Sequence, residues 1–195
     1  MNPEPGTRNP RPRRVIVALT GATGAVFCIR ALEALRAAGV ETHLVVSKWG
    51  QATLAHETDV TLEQLNALAS VAHPVNDLTA SIASGSFATD GMLIVPCSMR
   101  TLGAIANGVG DNLIHRAADV VLKERRPLAL AVVETPLSAI HLENMLKLSR
   151  LGVAIVPPVP AFYTRPAAIS DVVEYSVARM LDQIGIRTDA KRWQG

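Results

Sequence analysis

The sequence predicts an α/β fold built as a single domain around one doubly wound parallel sheet. Three observations support this prediction. Short apolar segments of strand length recur along the 195-residue chain, segments with helical periodicity separate them, and turns rich in glycine, serine or proline follow them. Strands that alternate with helices form parallel sheets that helices cover on both faces. The expected architecture is therefore flavodoxin-like or Rossmann-like.

Five apolar segments are predicted to be the strands of this sheet. Continuous apolar segments of this length are typical of strands that are buried on both faces. The segments are Val15–Leu19, His43–Val46, Met92–Val95, Leu128–Val133 and Val153–Val156.

Three further segments have the periodicity of amphipathic helices. The first is predicted to end at Gly39, because glycine commonly terminates helices. In the second, Asp119 and Lys123 are four residues apart and are expected to form a solvated ion pair. In the last, Ser170 is expected to cap a helix whose apolar face ends with Ile184.

Composition and charge limit the possible functions. Residues 1–13 are rich in arginine and proline and lack the apolar core of a secretory signal, so they are predicted to be a disordered tail before a single domain, 14–195. No apolar segment approaches the roughly 18 residues of a membrane span. The net charge of +2, without a massed basic segment, argues against nucleic-acid binding. Two cysteines, Cys28 and Cys97, predict neither a disulfide framework nor a metal site, and indicate a reducing cytoplasm.

The segments that directly follow the strands contain most of the candidate binding residues, because doubly wound sheets bind ligands at the carboxyl ends of their strands. The turn from Gly21 to Gly24 leads into a predicted helix, whose N-terminal N–H groups would suit a phosphate. A tight turn that only requires small residues is the alternative. At the other strand ends, hydroxyl-bearing residues outnumber lysines, which predicts a mononucleotide held by hydrogen bonds.

Several long segments resemble the UbiX-type flavin prenyltransferases. They are "LTGATGA", "SKWGQATLAHETD", "CSMRTLGAIANGVGDNLIHRAADVVLKERRPL", "ETPLSAIHLENMLKLSRLGVAIVPPVPAFYTRP" and "RMLDQIGI", and the resemblance extends from Val15 to Trp193. It implies a flavin-binding domain that assembles as a homododecamer with active sites between subunits. The implied reaction joins the dimethylallyl group of dimethylallyl phosphate to reduced FMN, at N5 and then C6. The prenylated FMN would serve UbiD-type decarboxylases.

The resemblance also implies roles for individual residues. FMN would be contacted by Gly21, Ala22, Thr23, Ser47, Ser98, Met99, Arg100 and Thr101. The prenyl phosphate would be surrounded by Lys123, Arg116, Tyr163 and Arg179. The implied catalytic residues are Glu134 as proton donor, Glu57 as an acid near the flavin, Thr23 and Lys123. Such a set is chemically suitable, since a departing phosphate needs cations and hydrogen-bond donors.

Structural roles remain alternatives for several of these residues. Lys123 lies among arginines where a solvated basic surface is the ordinary expectation, Tyr163 could simply pack in its proline-rich loop, and Arg116 could form a structural ion pair. Glu134 is harder to explain in this way, because an acid at the exit of a buried strand costs free energy unless it has a function. Cys97 is expected to pack in the core.

Three positions depart from the family pattern. Val133 stands where the family has an arginine, Thr23 replaces a serine, and Leu78 stands where many relatives have a tryptophan. Losing the arginine removes a charge-assisted contact worth about 1.5–3 kcal/mol beside the leaving phosphate. Two functions are therefore considered: an active flavin prenyltransferase, and an FMN-binding relative that has lost prenyl transfer and acts as a flavin carrier or partner subunit. A cysteine decarboxylase is disfavoured, because the segment 81–87 lacks that branch's histidine.

Overall fold

The computed structural model describes residues 12–188, which form one six-stranded sheet with every adjacent pair parallel. The order across the sheet is β3-β2-β1-β4-β5-β6. This is the order of a doubly wound sheet whose two halves diverge between β1 and β4. The predicted fold class is therefore confirmed. The strands are β1 (Arg14–Leu19), β2 (Glu41–Val46), β3 (Val71–His73), β4 (Gly91–Cys97), β5 (Leu128–Val132) and β6 (Ala154–Ile155).

Helices cover both faces of the sheet. Successive side chains of each strand point to opposite faces, so the sheet separates two apolar cores. On β1, Val15 and Val17 pack with residues of α1 and α7, whereas Ile16 and Ala18 pack with residues of α4 and α5. No helix within residues 12–188 has the length and apolarity needed to cross a membrane. The helices are α1 (Ala25–Ala37), α2 (Lys48–Glu57), α3 (Leu62–Leu68), α4 (Met99–Ala106), α5 (Leu113–Lys123), α6 (Ala139–Arg150) and α7 (Ile169–Gln183).

The sequence pattern predicts five of the six strands and misses β3. This strand has three residues, lies at the edge of the sheet and leaves Val71 40% exposed. It therefore lacks the continuous apolar character by which buried strands are recognised. Its place in the sheet comes from pairing with β2, where His43 lies opposite Val71.

Two predicted helix details are wrong. The residue before α7 is Ala168, and the Asp171 carboxylate accepts the N–H groups of Ala167 and Ala168 at 2.8 and 3.1 Å. Ser170 does not cap α7, because it is the second residue of the helix and lies inside it.

The ion pairing on α5 also differs from the expectation. Asp119 pairs with Arg116 at 2.8 Å, and Lys123 pairs with Glu124 at 2.6 Å. The expected Asp119–Lys123 pair does not form, because each residue has a nearer partner along the chain.

Some of the predicted boundaries fall within the described residues and others do not. The predicted end of α1 is confirmed by Gly39, whose φ of 66° is the left-handed conformation of a helix terminator. Residues 1–11 of the predicted tail, and 189–195 of the predicted domain, lie outside the described residues. Arg13 lies in the predicted tail, and its guanidinium donates to the Gly185 carbonyl at 2.6 Å.

Candidate functional site

A groove of about 420 Å³ opens at the carboxyl ends of β1, β2, β4 and β5, where the topology places a ligand. Its lining combines residues that follow each of these strands with the start of α5. Seven of the predicted site residues line it: Gly21, Ser47, Ser98, Met99, Arg100, Thr101 and Glu134.

Thr20 joins the two halves of the sheet at the floor of this groove. Its side chain is buried, and its hydroxyl donates to the Pro96 carbonyl at 2.8 Å and accepts the Ser98 N–H at 2.9 Å. The ends of β1 and β4 are thereby tied together at the point where the sheet diverges. Sequence reasoning missed Thr20, although a polar residue directly after a buried strand is a signal for this position.

Two helices begin at the groove with a serine cap. The Ser47 hydroxyl oxygen accepts the Gly50 N–H at 2.9 Å at the start of α2, and the Ser98 hydroxyl oxygen accepts the Thr101 N–H at 3.3 Å at the start of α4. The Ser98 hydroxyl also lies 3.2 Å from that of Thr101. Helix N-termini carry a partial positive charge, so the two starts favour an anion between them.

Close packing explains two glycines beside the groove. A Cβ atom on Gly21 would lie 2.4 Å from the Cβ atom of Trp49, and one on Gly50 would lie 2.5 Å from the Leu19 carbonyl oxygen. The loop after β1 can therefore pack directly on α2 only because both residues lack a side chain. This supports the small-residue interpretation of Gly21 and leaves Trp49, which is 63% exposed, at the groove wall.

The start of α1 holds a carboxylate of the protein itself. Glu57 Oε2 accepts the N–H groups of Gly24 and Ala25 at 2.8 and 2.9 Å, and Thr23 also hydrogen-bonds to Glu57. Partial burial would raise the pKa of Glu57, but the hydrogen bonds from Thr23, Ala25 and Gly24 outweigh it and hold this pKa below its usual value. Two N–H donors of the predicted phosphate site at this turn therefore already bind Glu57.

Ala22, Thr23 and Glu57 are absent from the described lining of the groove. The expected role of Glu57 as an acid near the flavin therefore stays a prediction. Its geometry is that of a helix cap.

The start of α5 contributes residues that sequence reasoning missed. Asn112 accepts the His115 N–H at 3.1 Å as the helix cap, and His115 Nδ1 lies 3.0 Å from the Asp111 carboxylate. Asp111 also pairs with Arg100 at 3.2 Å. Burial lowers the pKa of His115, although Asp111 opposes this shift. The available signal was the Asp-Asn pair before a helical segment, which is typical of a helix start.

Glu134 lies at the rim of the groove, exposed to solvent, and its Oε1 accepts the Thr135 N–H at 3.1 Å. The argument that a buried acid must have a function therefore does not apply, because Glu134 remains hydrated. Val133 is half-buried, and its N–H donates to the Cys97 carbonyl at 3.3 Å, so an apolar side chain follows β5 directly before the acid.

The four residues predicted to bind the prenyl phosphate do not line the groove within residues 12–188. Lys123 is bound to Glu124 at the end of α5, and Arg179 pairs with Asp182 on α7 at 2.9 Å. The hydroxyl of Tyr163 is hydrogen-bonded to that of Tyr175, which raises the pKa of Tyr163 against the opposing charge of Arg179. Tyr163 and Arg179 are therefore neighbours, apart from the groove.

A second cavity of about 320 Å³ adjoins the groove, because Asn112 and His115 line both. Its other residues include Arg116 and the half-exposed Leu78. Arg116 also donates to the Ala83 carbonyl at 3.1 Å. The structure thus brings Arg116, a predicted prenyl-phosphate residue, next to the predicted flavin residues. It also brings Leu78 there, which stands where many relatives have a tryptophan.

Both cysteines are structural. Cys28 and Cys97 are unpaired and fully buried, and burial raises the pKa of each thiol to about 12. Neither is a thiolate nucleophile at neutral pH, so the expectation that Cys97 packs in the core is confirmed.

Known proteins resemble the chain over nearly its whole length. The profile of the Flavoprotein family matches residues 4–181. A probable UbiX-like flavin prenyltransferase of Bacillus subtilis is 54% identical over 183 residues, which cover 93% of this chain and 90% of that protein.

Two solved structures share the fold closely. The crystal structure of AnUbiX (PadA1) in complex with FMN and dimethylallyl pyrophosphate has a TM-score of 0.93 and 55% identity, over 95% of this chain and 99% of that chain. A dodecameric FMN-dependent UbiX-like decarboxylase from Escherichia coli O157:H7 has a TM-score of 0.91 and 54% identity, over 93% and 100% of the two chains.

Proposed function

Because this chain belongs to the Flavoprotein family, and within it to the UbiX-like flavin prenyltransferases, we propose that it transfers a dimethylallyl group from dimethylallyl phosphate to reduced FMN. One observation carries the proposal. The chain shares 55% identity and nearly its entire fold with a protein crystallised with FMN and a dimethylallyl donor. Fold alone would not justify this step, but the 55% identity is measured over 95% of this chain.

The groove supplies what FMN binding requires. The starts of α2 and α4, capped by Ser47 and Ser98, present backbone donors and two positive helix ends, which suit the flavin phosphate. Thr101 lies in the first turn of α4, and its side chain is almost fully buried against Ser98. Reduced FMN supplies the nucleophilic ring atoms of the reaction. The exposed Trp49 and the apolar Met99 provide wall surface for its ring system.

The prenyl donor needs cations beside its phosphate while its carbon–oxygen bond breaks and the electron pair leaves with the phosphate. Lys123, Arg116 and Arg179 provide such charges, and the protonated Tyr163 provides a hydroxyl donor. Glu134, which lines the groove, is the proposed proton donor. Since Lys123, Tyr163 and Arg179 do not reach the groove of their own chain, neighbouring copies are proposed to complete each site.

This assembly is proposed to be a homododecamer. The related E. coli protein is dodecameric. The chain itself leaves large apolar side chains exposed, including Phe162 at 76%, Ile169 at 83% and Ile140 at 69%. Apolar surface of this kind is typical of surfaces that subunits cover. The product is proposed to serve a UbiD-type decarboxylase, in a reducing cytoplasm that suits the two free thiols.

Val133 favours a second candidate function. With an apolar side chain in place of the family's arginine, the chain could bind FMN without transferring the prenyl group. Anaerobic incubation with reduced FMN and either dimethylallyl phosphate or dimethylallyl pyrophosphate, followed by mass spectrometry of the flavin, separates the two. Flavin that gains one dimethylallyl group supports the enzyme. Flavin that stays bound and unmodified with both donors supports the carrier.

A further inference from the structure

We propose that Arg126 is a positioning residue for prenyl transfer, which fixes residues 83–89, hereafter the serine loop, against Lys123. The inference rests on the proposed role of Lys123 at the prenyl phosphate. Arg126 has no part in the sequence-based site, and its function here is to act through the loop and Lys123 rather than on the substrate.

Arg126 binds the serine loop at three points. Its Nη2 donates to the Gly85 carbonyl at 2.6 Å, and its Nη1 donates to the Phe87 carbonyl at 2.9 Å and lies 3.2 Å from the Thr89 hydroxyl. The planar guanidinium reaches carbonyls two residues apart with separate nitrogens, which a lysine ammonium cannot reproduce with the same geometry.

The backbone that carries Arg126 is itself fixed. At the end of α5 the N–H of Arg125 donates to the Leu122 carbonyl at 3.0 Å, and the N–H of Arg126 donates to the Val121 carbonyl at 2.9 Å. With Arg125 at a φ of 56°, this pair of bonds forms a Schellman motif. The backbone positions of Lys123 and Arg126, one turn apart at the same helix end, are therefore fixed relative to each other.

Other arginines hold the ends of the serine loop. Arg116 donates to the Ala83 carbonyl at 3.1 Å, and Arg14 donates to the Ala88 carbonyl at 3.0 Å while its guanidinium lies 4.2 Å from the centre of the Phe87 ring. Backbone carbonyls outside regular structure need such partners. The carbonyls of Gly85 and Phe87, between these ends, depend on Arg126.

The serine loop directly limits where the Lys123 ammonium can lie. A Cβ atom on Gly85 would come within 2.7 Å of Lys123 Nζ and 2.2 Å of Glu124 Oε1, so the bare backbone of Gly85 is in contact with this ion pair. Lys123 is about half exposed and has a long flexible side chain. The Gly85 backbone therefore limits the positions that the Lys123 ammonium can take, and Arg126 fixes this backbone.

The test compares Arg126→Gln with Arg125→Gln, which removes the same charge one residue earlier. Arg126→Gln should raise the KM for dimethylallyl phosphate about tenfold, the loss of one charge-assisted contact, while the Kd for FMN stays within about twofold of wild type. Arg125→Gln should leave both constants unchanged. Arg126→Lys should raise the KM as Arg126→Gln does. A wild-type KM in Arg126→Lys would show that the positive charge suffices and would overturn the requirement for a guanidinium that binds both carbonyls.

Gly85→Ala alters the contact between the serine loop and Lys123 without removing a charge, and it remains informative if Arg126→Gln folds poorly. It should raise the same KM, and the double variant should be less than additive, because both changes act on Lys123. Unchanged KM values in Gly85→Ala and Arg126→Gln would overturn the inference.

Failure of the proposed function has a different signature, since wild type would then make no prenylated flavin. In that case calorimetry of dimethylallyl phosphate with the FMN-loaded protein provides the comparison. Tighter binding by wild type than by Arg126→Gln supports the inference, and equal binding, or binding by neither, overturns it.

Discussion

The Glu57 carboxylate closes the N-terminus of α1, with Oε2 at 2.8 Å from the amide nitrogen of Gly24. The same oxygen accepts the Ala25 N–H at 2.9 Å. The glycine turn after β1 is thus bound by an anion of the protein itself. The positive φ of Gly24, 107°, lets the turn present its N–H to Glu57.

Replacing Glu57 by glutamine should lower the free energy of unfolding by about 1 kcal/mol, because the charge–dipole contact and part of the cap are lost. Since the pKa of Glu57 is lowered in the folded state, its stabilisation is present at neutral pH and is lost as the pH falls below about 4. Urea unfolding at pH 7 and at acidic pH measures the difference. Glu143→Gln, an exposed site on α6, is the control. A variant as stable as wild type at pH 7 would contradict the capping role.

A Ser47→Ala, Thr101→Ala double variant should lose at least about tenfold in FMN affinity, because both helix starts at the groove are altered. Fluorescence titration with FMN measures this. Ser138→Ala removes an equivalent serine cap from α6 without altering a residue that lines the groove, and should keep wild-type affinity. Equal affinities in the double variant and the control would show that the phosphate is bound elsewhere.

Much of this arrangement was predictable because it depends on local sequence. Buried strands such as Leu128–Val132 are continuous apolar segments, and the topology of a doubly wound sheet places the residues after them at one edge. This topology accounts for the positions of Gly21, Ser47, Ser98 and Glu134 at the groove.

What the sequence did not predict depends on contacts between distant segments. Strand β3 is defined by its pairing with β2 and by His73 lying against His43, thirty residues earlier. His115 reaches the groove because α5 begins beside it, and Glu57 reaches the start of α1 from the end of α2. Local patterns contain no information on such approaches. The prenyl-phosphate residues were identified through family resemblance alone.

Stability should fall as the pH decreases through about 6.5, the ordinary histidine range. Burial, together with the nearby charge of His43, lowers the pKa of His73, although Asp77 opposes the shift. The unfolded chain therefore binds a proton before the folded one does, and stability is lost with acidification. Urea midpoints at pH 7.5 and 5.5 should differ less in His73→Gln than in wild type. A residual slope is expected from His115, whose pKa is also lowered. His56→Gln, exposed on α2, should retain the full wild-type difference.

A second loss of stability should follow at lower pH, because another group takes up a proton more readily in the unfolded chain than in the folded one. The Arg14 guanidinium binds Glu41 at 2.7 Å and holds the pKa of this carboxyl at about 2, against the opposing effect of burial. The folded state therefore keeps Glu41 ionised where the unfolded chain takes up a proton, so the stabilisation disappears between about pH 4 and pH 2. An unfolding curve for Glu41→Gln with the same acid dependence as wild type would contradict this.

Mixed oligomers of Lys123→Ala and Glu134→Gln should recover activity that neither variant has alone. Glu134 lines the groove of its own chain whereas Lys123 does not, so sites that combine subunits can receive one intact residue from each variant. Random mixing of equal amounts gives intact pairs at about a quarter of the sites, in an assembly of identical subunits. Co-expression with two affinity tags, followed by the anaerobic prenylation assay, measures the recovery. Zero recovery in verified mixed oligomers would place both residues in the same chain's site.

Val133→Arg should increase the affinity for dimethylallyl phosphate or the rate of prenyl transfer. Val133 follows β5 directly beside Glu134, and an arginine there would supply a charge-assisted contact to the departing phosphate worth up to about 1.5–3 kcal/mol. The gain is reduced by the cost of desolvating and ordering the new guanidinium. Val133→Met provides a side chain of comparable length without charge and should not increase either constant. Single-turnover kinetics with reduced FMN separate donor binding from transfer. If wild type is inactive and Val133→Arg alone forms prenylated FMN, the natural protein is a flavin binder that has lost this chemistry. If Val133→Arg instead weakens donor binding, the phosphate does not lie beside this residue.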